Sequence, residues 1–468
     1  MASSLHVVLF PFMAKGHTIP VLQLARLFLR RNATVTLFTT PANHPFVSAT
    51  LSDTPTTIIS LPFPQNIPGV PSGVESTDKL PSMSLFLPFV SSTKLIEPHF
   101  EQALQSLQTP VTFMVTDGFF GWTLDSANKF NIPRLVYYGM SNFSVTLSAL
   151  ISNNPNLFDG KSDTDQVTVP EFPWMKVARI DFGDGFNRNN DSKNPLAEWV
   201  MEQILATRKS YGLVTNSFFE LEPVYTDFWN SNFPPKSWCV GPFCFSQEMV
   251  EPNTLSAQKP SWMVWLDEKL QLGSPVLYVA FGSQAEISME QIEEIKIGLE
   301  RSEVNFFWVV RGNKSTFDDG FEERVKGRGI VVREWVNQRE ILKHESVKGF
   351  VSHCGWNSVL ESICAAVPIV AWPLMAEQPL NAKFVVEEME IGSRVETCDG
   401  SLNGFVKWEE LEKRVRELME GEKGKEMRKK VEEISQAAMK AVEDGGSSCR
   451  NMNELIEELQ AKQLIISE

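Results

Sequence analysis

Gly349-Phe350-Val351-Ser352-His353-Cys354-Gly355-Trp356-Asn357-Ser358-Val359-Leu360-Glu361 passes from a short apolar run through a glycine-containing turn into a helical pattern. Strand, turn and helix in that order form the repeating unit of a parallel α/β sheet. Unpaired N–H groups at the start of such a helix, with its macrodipole, attract phosphate. Asn357 and Ser358 add donors there, and His353 can add another. Glu361 lies about one turn further along the same face, placed to accept from a pair of ribose hydroxyls. The same residues also describe an ordinary helix cap, which Asn and Ser often supply. A metal at His353 and Cys354 is disfavoured, because no third and fourth ligand stand at suitable spacing.

Outward from this unit, apolar runs alternate with helical patterns along the chain. Leu5–Phe12, Thr34–Thr39, Val111–Thr116 and Arg134–Tyr138 are the clearest in the first half. Val276–Phe281, Asn305–Val310, Gly329–Arg333, Gly349–Ser352 and Pro368–Trp372 follow in the second. They read as continuous rather than alternating, as strands covered on both faces do. The expected organisation is a domain over 1–240, a linker over 241–260 with Pro242, Pro252 and Pro260, a second domain over 261–445, and a helix over 446–468 folding back on the first domain. An irregular stretch from Ser152 to Pro195 is expected to form loops over a pocket.

In an open parallel sheet, ligands bind beyond the carboxyl ends of the strands. Polar residues gather at those exits in both halves: His17 in the loop Ala14–Pro20, Asp117, Gly282-Ser283, His353–Ser358, and Glu377-Gln378. A histidine beside a carboxylate keeps one ring nitrogen protonated and leaves the other to accept a proton, so His17 with Asp117 can deprotonate a hydroxyl. A capping histidine and a capping aspartate fit the same positions.

The chain has 468 residues and a formal net charge of −15. Residues 1–240 hold 16 basic and 19 acidic side chains and 241–468 hold 27 and 39, so the acidity is concentrated in the second half. That balance argues against a nucleic-acid binder. Six cysteines, none paired at a two-residue spacing, point to reduced thiols and a cytoplasmic location. No stretch approaches about 18 uninterrupted apolar residues, so no membrane span is expected. No G-x-G-x-x-G follows a strand, and no Walker loop is present. Asp163-Thr164-Asp165 has the form of an acidic metal-binding pair, but it stands in the irregular segment, where a solvated loop is the better reading.

The 44 residues from Trp335 to Gln378 resemble the plant secondary product glycosyltransferase box, the donor signature of family 1 UDP-sugar-dependent enzymes. Trp335, Gln338, Leu342, His353-Cys354-Gly355-Trp356-Asn357-Ser358, Glu361, Val367-Pro368, Trp372-Pro373 and Glu377-Gln378 carry the match. Outside the box, Gly16-His17, Pro20, Asp117, Val240-Gly241-Pro242 and Phe281-Gly282-Ser283 also fit. The resemblance implies a GT-B fold, two Rossmann-like doubly wound domains facing a cleft. It implies that Trp335, with Val336 beside it, stacks on the uracil, and that Gln338 and Glu361 hold the ribose. Ser283, His353, Asn357 and Ser358 would face the diphosphate, and Trp356, Glu377 and Gln378 the sugar. His17 would be the general base and Asp117 its partner, in an inverting transfer with neither metal nor cofactor. Trp356 in place of Arg, and Gln378 in place of His, imply UDP-glucose as the donor.

The acceptor is expected to be a small phenol such as a flavonoid, taken up near Phe12, Met13, Gly16, Phe119, Phe120, Ser141 and Phe172. Most of these residues suit an ordinary core equally well. Two departures stand out. Ala366-Val367-Pro368 replaces the family's Gly-Val-Pro, with an added methyl expected to tighten packing behind the helix, and Ala280 replaces a usual Ser. A monomer is expected. The alternatives are an epimerase on the same fold and a non-catalytic UDP-sugar binder.

Overall fold

The computed structural model describes residues 5–183, 194–246, 259–310 and 319–467. Most of the expected linker, 247–258, lies outside the described residues. In chain order the strands of the first half are β1 (His6–Phe10), β2 (Thr34–Thr39), β3 (Thr57–Ser60), β4 (Phe113–Asp117), β5 (Arg134–Tyr137), β6 (Val167–Val169), β7 (Phe172–Val177), β8 (Gly212–Thr215) and β9 (Ser237–Cys239). β6 and β7 pair antiparallel by themselves. The others form one parallel sheet in the order β3-β2-β1-β4-β5-β8-β9. A second parallel sheet contains β10 (Val276–Ala280), β11 (Asn305–Val309), β12 (Gly329–Val332), β13 (Val347–Ser352), β14 (Ile369–Ala371) and β15 (Gly392–Arg394), ordered β12-β11-β10-β13-β14-β15.

In both sheets the strand order reverses once, between β1 and β4 in the first and between β10 and β13 in the second. Those reversals are the topological switch points at which doubly wound sheets bind ligands. β1 shows why its sequence is apolar throughout. Val7 and Leu9 join a cluster with Val21, Leu24 and Phe28 of the helix Lys15–Leu29. Val8 and Phe10 point the other way, among Phe38, Phe100 and Phe120. With both faces covered, each such side chain contributes about 1.5–3 kcal/mol of burial. β10 is wrapped likewise, with Leu277 and Val279 against Ile295 and Leu299 of the helix Met289–Ser302.

The described residues of 1–142, 190–255 and 440–468 cluster as one compact unit, and those of 143–189 and 256–439 as the other. The first unit thus does not run unbroken over 1–240, as the sequence leads one to expect. Described residues of 143–183 pack on the second unit: Phe143 stacks on Phe384 at 4.7 Å and Ser144 Oγ donates to Asn381 Oδ1 at 2.8 Å. The helix Ser447–Ser467 supplies Met452, Leu455, Ile456 and Leu459 to the core of the first unit. The irregular stretch also holds the β6–β7 hairpin, which sequence reading did not anticipate. No described helix is long and apolar enough to cross a membrane. All six cysteines are free thiols.

Candidate active site

At the switch point of the first sheet, His17 opens the helix Lys15–Leu29 just beyond β1, and Asp117 ends β4. His17 Nδ1–H donates to Asp117 Oδ2 at 2.7 Å. A carboxylate only accepts, so this bond puts the proton on Nδ1 and the lone pair on Nε2. The Asp117 side chain is fully enclosed and that of His17 is 19% exposed. Asp117 Oδ1 accepts the Phe119 N–H at 3.0 Å, which fixes the carboxylate against rotation. The imidazole rests on Phe12, ring centroids 5.5 Å apart, and on Phe119 at 5.1 Å. Gly139 faces the other nitrogen, and a Cβ built there would lie 4.0 Å from Nε2.

At the switch point of the second sheet, Gly282-Ser283 follow β10 and His353 follows β13. The His353 ring fills the space left by two glycines, since a Cβ at Gly282 or at Gly355 would meet its Nε2 at 2.6 Å. Its Nδ1 is buried without a hydrogen-bond partner, and burial pulls the imidazole down to about 4. His353 is therefore a neutral donor at physiological pH, not the cation one would place beside a diphosphate. The helix Trp356–Cys364 begins with Gly355 as its cap, which supplies no side-chain hydrogen bond. That start retains the partial positive charge that attracts an anion.

Behind it, Gln338 Nε2 donates to Ser358 Oγ at 2.9 Å and to Glu361 Oε2 at 2.8 Å, joining three of the expected donor residues. Burial raises the Glu361 carboxyl above its ordinary range, with the Gln338 bond and Arg339 opposing. Trp335 holds its indole 61% exposed, unusual for so large an apolar ring, while Val336 beside it is buried. The buried Gln378 accepts at its side-chain carbonyl from Leu374 N–H at 3.0 Å and Met375 N–H at 3.1 Å. Glu377 Oε1 accepts a long 3.5 Å bond from Asn381.

Several expected side chains are placed differently. The Trp356 ring is buried and packs on Phe384, so what it brings is its place in the first helical turn. Phe12, Met13 and Phe120 belong to the core, with Phe119 packed at its edge, and Ser141 is fully buried. Met13 contributes its carbonyl, which accepts from Thr77 N–H at 3.0 Å and Ser76 Oγ at 3.1 Å. Gly16 is exposed beside His17. Phe172 is buried on β7, within the second unit rather than the first. Ala366 adopts φ 55°, so the extra methyl stands at a left-handed position where Gly is at home. Its first consequence is therefore on the backbone. Asp163 pairs at 3.6 Å with Arg179 and is exposed.

Sequence reading missed two residues. Trp199, on the helix Pro195–Arg208, sits 5.3 Å from Phe119 and 6.0 Å from Phe86. Asn381, fully buried, donates to the Cys354 carbonyl at 3.0 Å and so braces the turn after β13. Only tertiary contact marks either one.

A sequence model of the family described as UDP-glucoronosyl and UDP-glucosyl transferase matches residues 268–436. The chain is 54% identical to UDP-glycosyltransferase 90A1 of Arabidopsis thaliana, over 97% of this chain and 96% of that one. It is 35% identical to UDP-glucose flavonoid 3-O-glucosyltransferase 7 of Fragaria ananassa, over 97% and 96%. Its fold is similar to the crystal structure of Glycyrrhiza uralensis UGT73P12 complexed with glycyrrhetinic acid 3-O-monoglucuronide, with a TM-score of 0.88, 32% identity, and 99% and 97% of the two chains covered. Two Rossmann-like units of the GT-B class, the donor box and these likenesses agree: the chain belongs to the plant family 1 UDP-dependent glycosyltransferases and is a glycosyltransferase enzyme.

Proposed function

We propose that this enzyme transfers glucose from UDP-glucose to a hydroxyl of a small aromatic plant metabolite, a flavonoid or another phenol, with inversion at the anomeric carbon. The observation that carries the reading is the 2.7 Å bond from His17 Nδ1 to the enclosed Asp117 carboxylate. In the proposed step the acceptor O–H gives its proton to His17 Nε2. Its oxygen bonds to the anomeric carbon as the bond from that carbon to the diphosphate breaks on the opposite face. Asp117 stabilises the imidazolium that forms. A positioned base of this kind contributes about 10²–10⁴-fold.

The charge growing on UDP falls to the helix start at Trp356 and to donation by neutral His353, Ser283, Asn357 and Ser358. Trp335 stacks on the uracil, Gln338 and Glu361 hold the ribose, and Glu377 and Gln378 take the sugar hydroxyls. The reading assigns no part to a metal or cofactor. The partly exposed rings of Phe86, Phe119, Tyr138 and Trp199 near His17 support an aromatic acceptor, as does the flavonoid named for the Fragaria relative. Six free thiols suit the reducing cytoplasm.

The test mixes purified protein, a chelator and UDP-glucose with a panel of phenolic aglycones, and follows product mass and anomeric configuration. A gain of one hexose in the β configuration is expected. Sugar interconversion without an acceptor would favour an epimerase, and UDP-glucose binding without UDP release would favour a binder. Either result overturns the proposal.

A further inference from the structure

Arg134 lies on β5, beside the strand that ends in Asp117, and is 2% exposed. All three guanidinium nitrogens are hydrogen-bonded, yet none of the acceptors is a carboxylate. Nε donates to Thr116 Oγ1 and Thr123 Oγ1, both at 2.8 Å, and Nη1 to Ser210 Oγ at 2.7 Å. Nη2 donates to the carbonyls of Asp117 and Phe120, both at 3.2 Å. Burial lowers the guanidinium to about 10, with the negative charge of Asp117 opposing, so it stays cationic near neutrality. A buried cation without a bonded counter-ion is costly to keep. Nothing in the ordinary packing of β5 requires one. The turn it grips, Asp117 to Phe120, is the turn that presents the carboxylate to His17, with Phe119 N–H closing it from within.

We infer that Arg134 is the positioning residue of the His17–Asp117 pair, clamping the turn through two carbonyls and supplying the buried counter-charge that limits how tightly the pair holds a proton. The inference rests on the reading of His17 as the base. Without the cation, Asp117 would stabilise the imidazolium more strongly, and His17 would stay protonated to higher pH. Few other titratable groups face the pair among the described residues. Tyr138, on the far side of Gly118, is held phenolic by burial, its pKa pushed up to about 12, with its hydroxyl on Thr207 at 2.8 Å. Lys15, on the helix of His17, lies over the Phe46 ring. In the loop bonded to Met13, Glu75 accepts from Ala42 N–H and Asp78 from the Ser76 hydroxyl.

The experiment measures kcat/KM for the acceptor against pH in wild type, Arg134→Met, Arg134→Lys and His17→Ala, with the melting temperature of each. In Arg134→Met the acid limb should move up by about one pH unit, because an opposite charge removed from a carboxylate–histidine pair acts on that scale. Arg134→Lys should return the limb to its wild-type position. Its kcat should still fall about tenfold, because a lysine cannot grip both carbonyls in the same fork. KM for UDP-glucose should stay within about twofold in both. If Arg134→Met does not fold, Arg134→Gln reads the same limb, also without charge. A limb at the wild-type pH in the uncharged variant, with activity lost only in proportion to folded protein, would make Arg134 merely structural and overturn the inference. A limb that persists in His17→Ala would instead remove the base reading on which it stands.

Discussion

Gly355 caps the helix Trp356–Cys364 with φ −57° and ψ 139°, a conformation open to any residue, so a substitution there tests space alone. A Cβ at 355 would lie 2.6 Å from His353 Nε2 and 3.3 and 3.4 Å from two ring carbons, with no other residue among its nearest neighbours. Ordinary contact needs about 3.5 Å, so the ring must give way by roughly 0.8 Å or more. Gly282 hems in the same nitrogen, which limits where the ring can go. A misplacement of about 1 Å can cost about 10²-fold. Gly355→Ala should therefore lower kcat/KM for UDP-glucose by about 30- to 100-fold and weaken UDP binding in calorimetry, while the melting temperature barely moves. In a His353→Ala background the ring is gone, and adding Gly355→Ala should change the rate less than about twofold. A Gly355→Ala enzyme with wild-type kinetics would refute the reasoning, as would an equal loss in both backgrounds.

The exposed indole of Trp335 has little folding to support, so Trp335→Ala should weaken UDP binding about tenfold with the urea midpoint unchanged. A fall in stability without loss of binding would count against its role. His353 is held near 4 in the folded protein, below the ordinary value of 6.5. Between those values the unfolded chain binds the extra proton, so stability is full above about pH 6.5 and is lost as pH falls toward 4, by at most about 3 kcal/mol. Urea unfolding at pH 7 and 5 should show a larger loss in wild type than in His353→Gln; equal losses would contradict the burial argument. Ala366 stands at φ 55° after the helix Trp356–Cys364, with its N–H on the Ile363 carbonyl and Val367 N–H on Ser362. Relief of that left-handed alanine should make Ala366→Gly more stable by about 0.5–1 kcal/mol, after the greater chain entropy of glycine is set against it. A lower urea midpoint would show that the methyl packs favourably after all.

The parallel sheets were legible because strands such as Val276–Ala280 are buried on both faces and read as unbroken apolar runs. β9, Ser-Trp-Cys, and β15, Gly-Ser-Arg, were not, since three residues carry no pattern and their pairing comes from neighbours already in place. His17 and Asp117 could be joined across a hundred residues because strand exits converge wherever the sheet order reverses. Which aromatic residues line an opening is a different kind of question. Phe12 and Phe120 look like Phe119 in sequence, yet only the last lies at the edge of the core. Trp199 reaches that edge from a helix whose own pattern gives no sign of it. The charge of His353 was equally hidden, because burial rather than residue type decides it. The left-handed torsion of Ala366 was hidden too, for backbone torsion is not written in composition.

The rate of glucosyl transfer by His17→Ala tests the account most directly, provided UDP-glucose binding is measured on the same sample. The account predicts that kcat falls by about 10²-fold or more while UDP-glucose binds as tightly as in wild type, since the base touches the acceptor and not the nucleotide. Transfer within about tenfold of wild type, with binding intact, would contradict it and leave the His17–Asp117 bond as scaffolding.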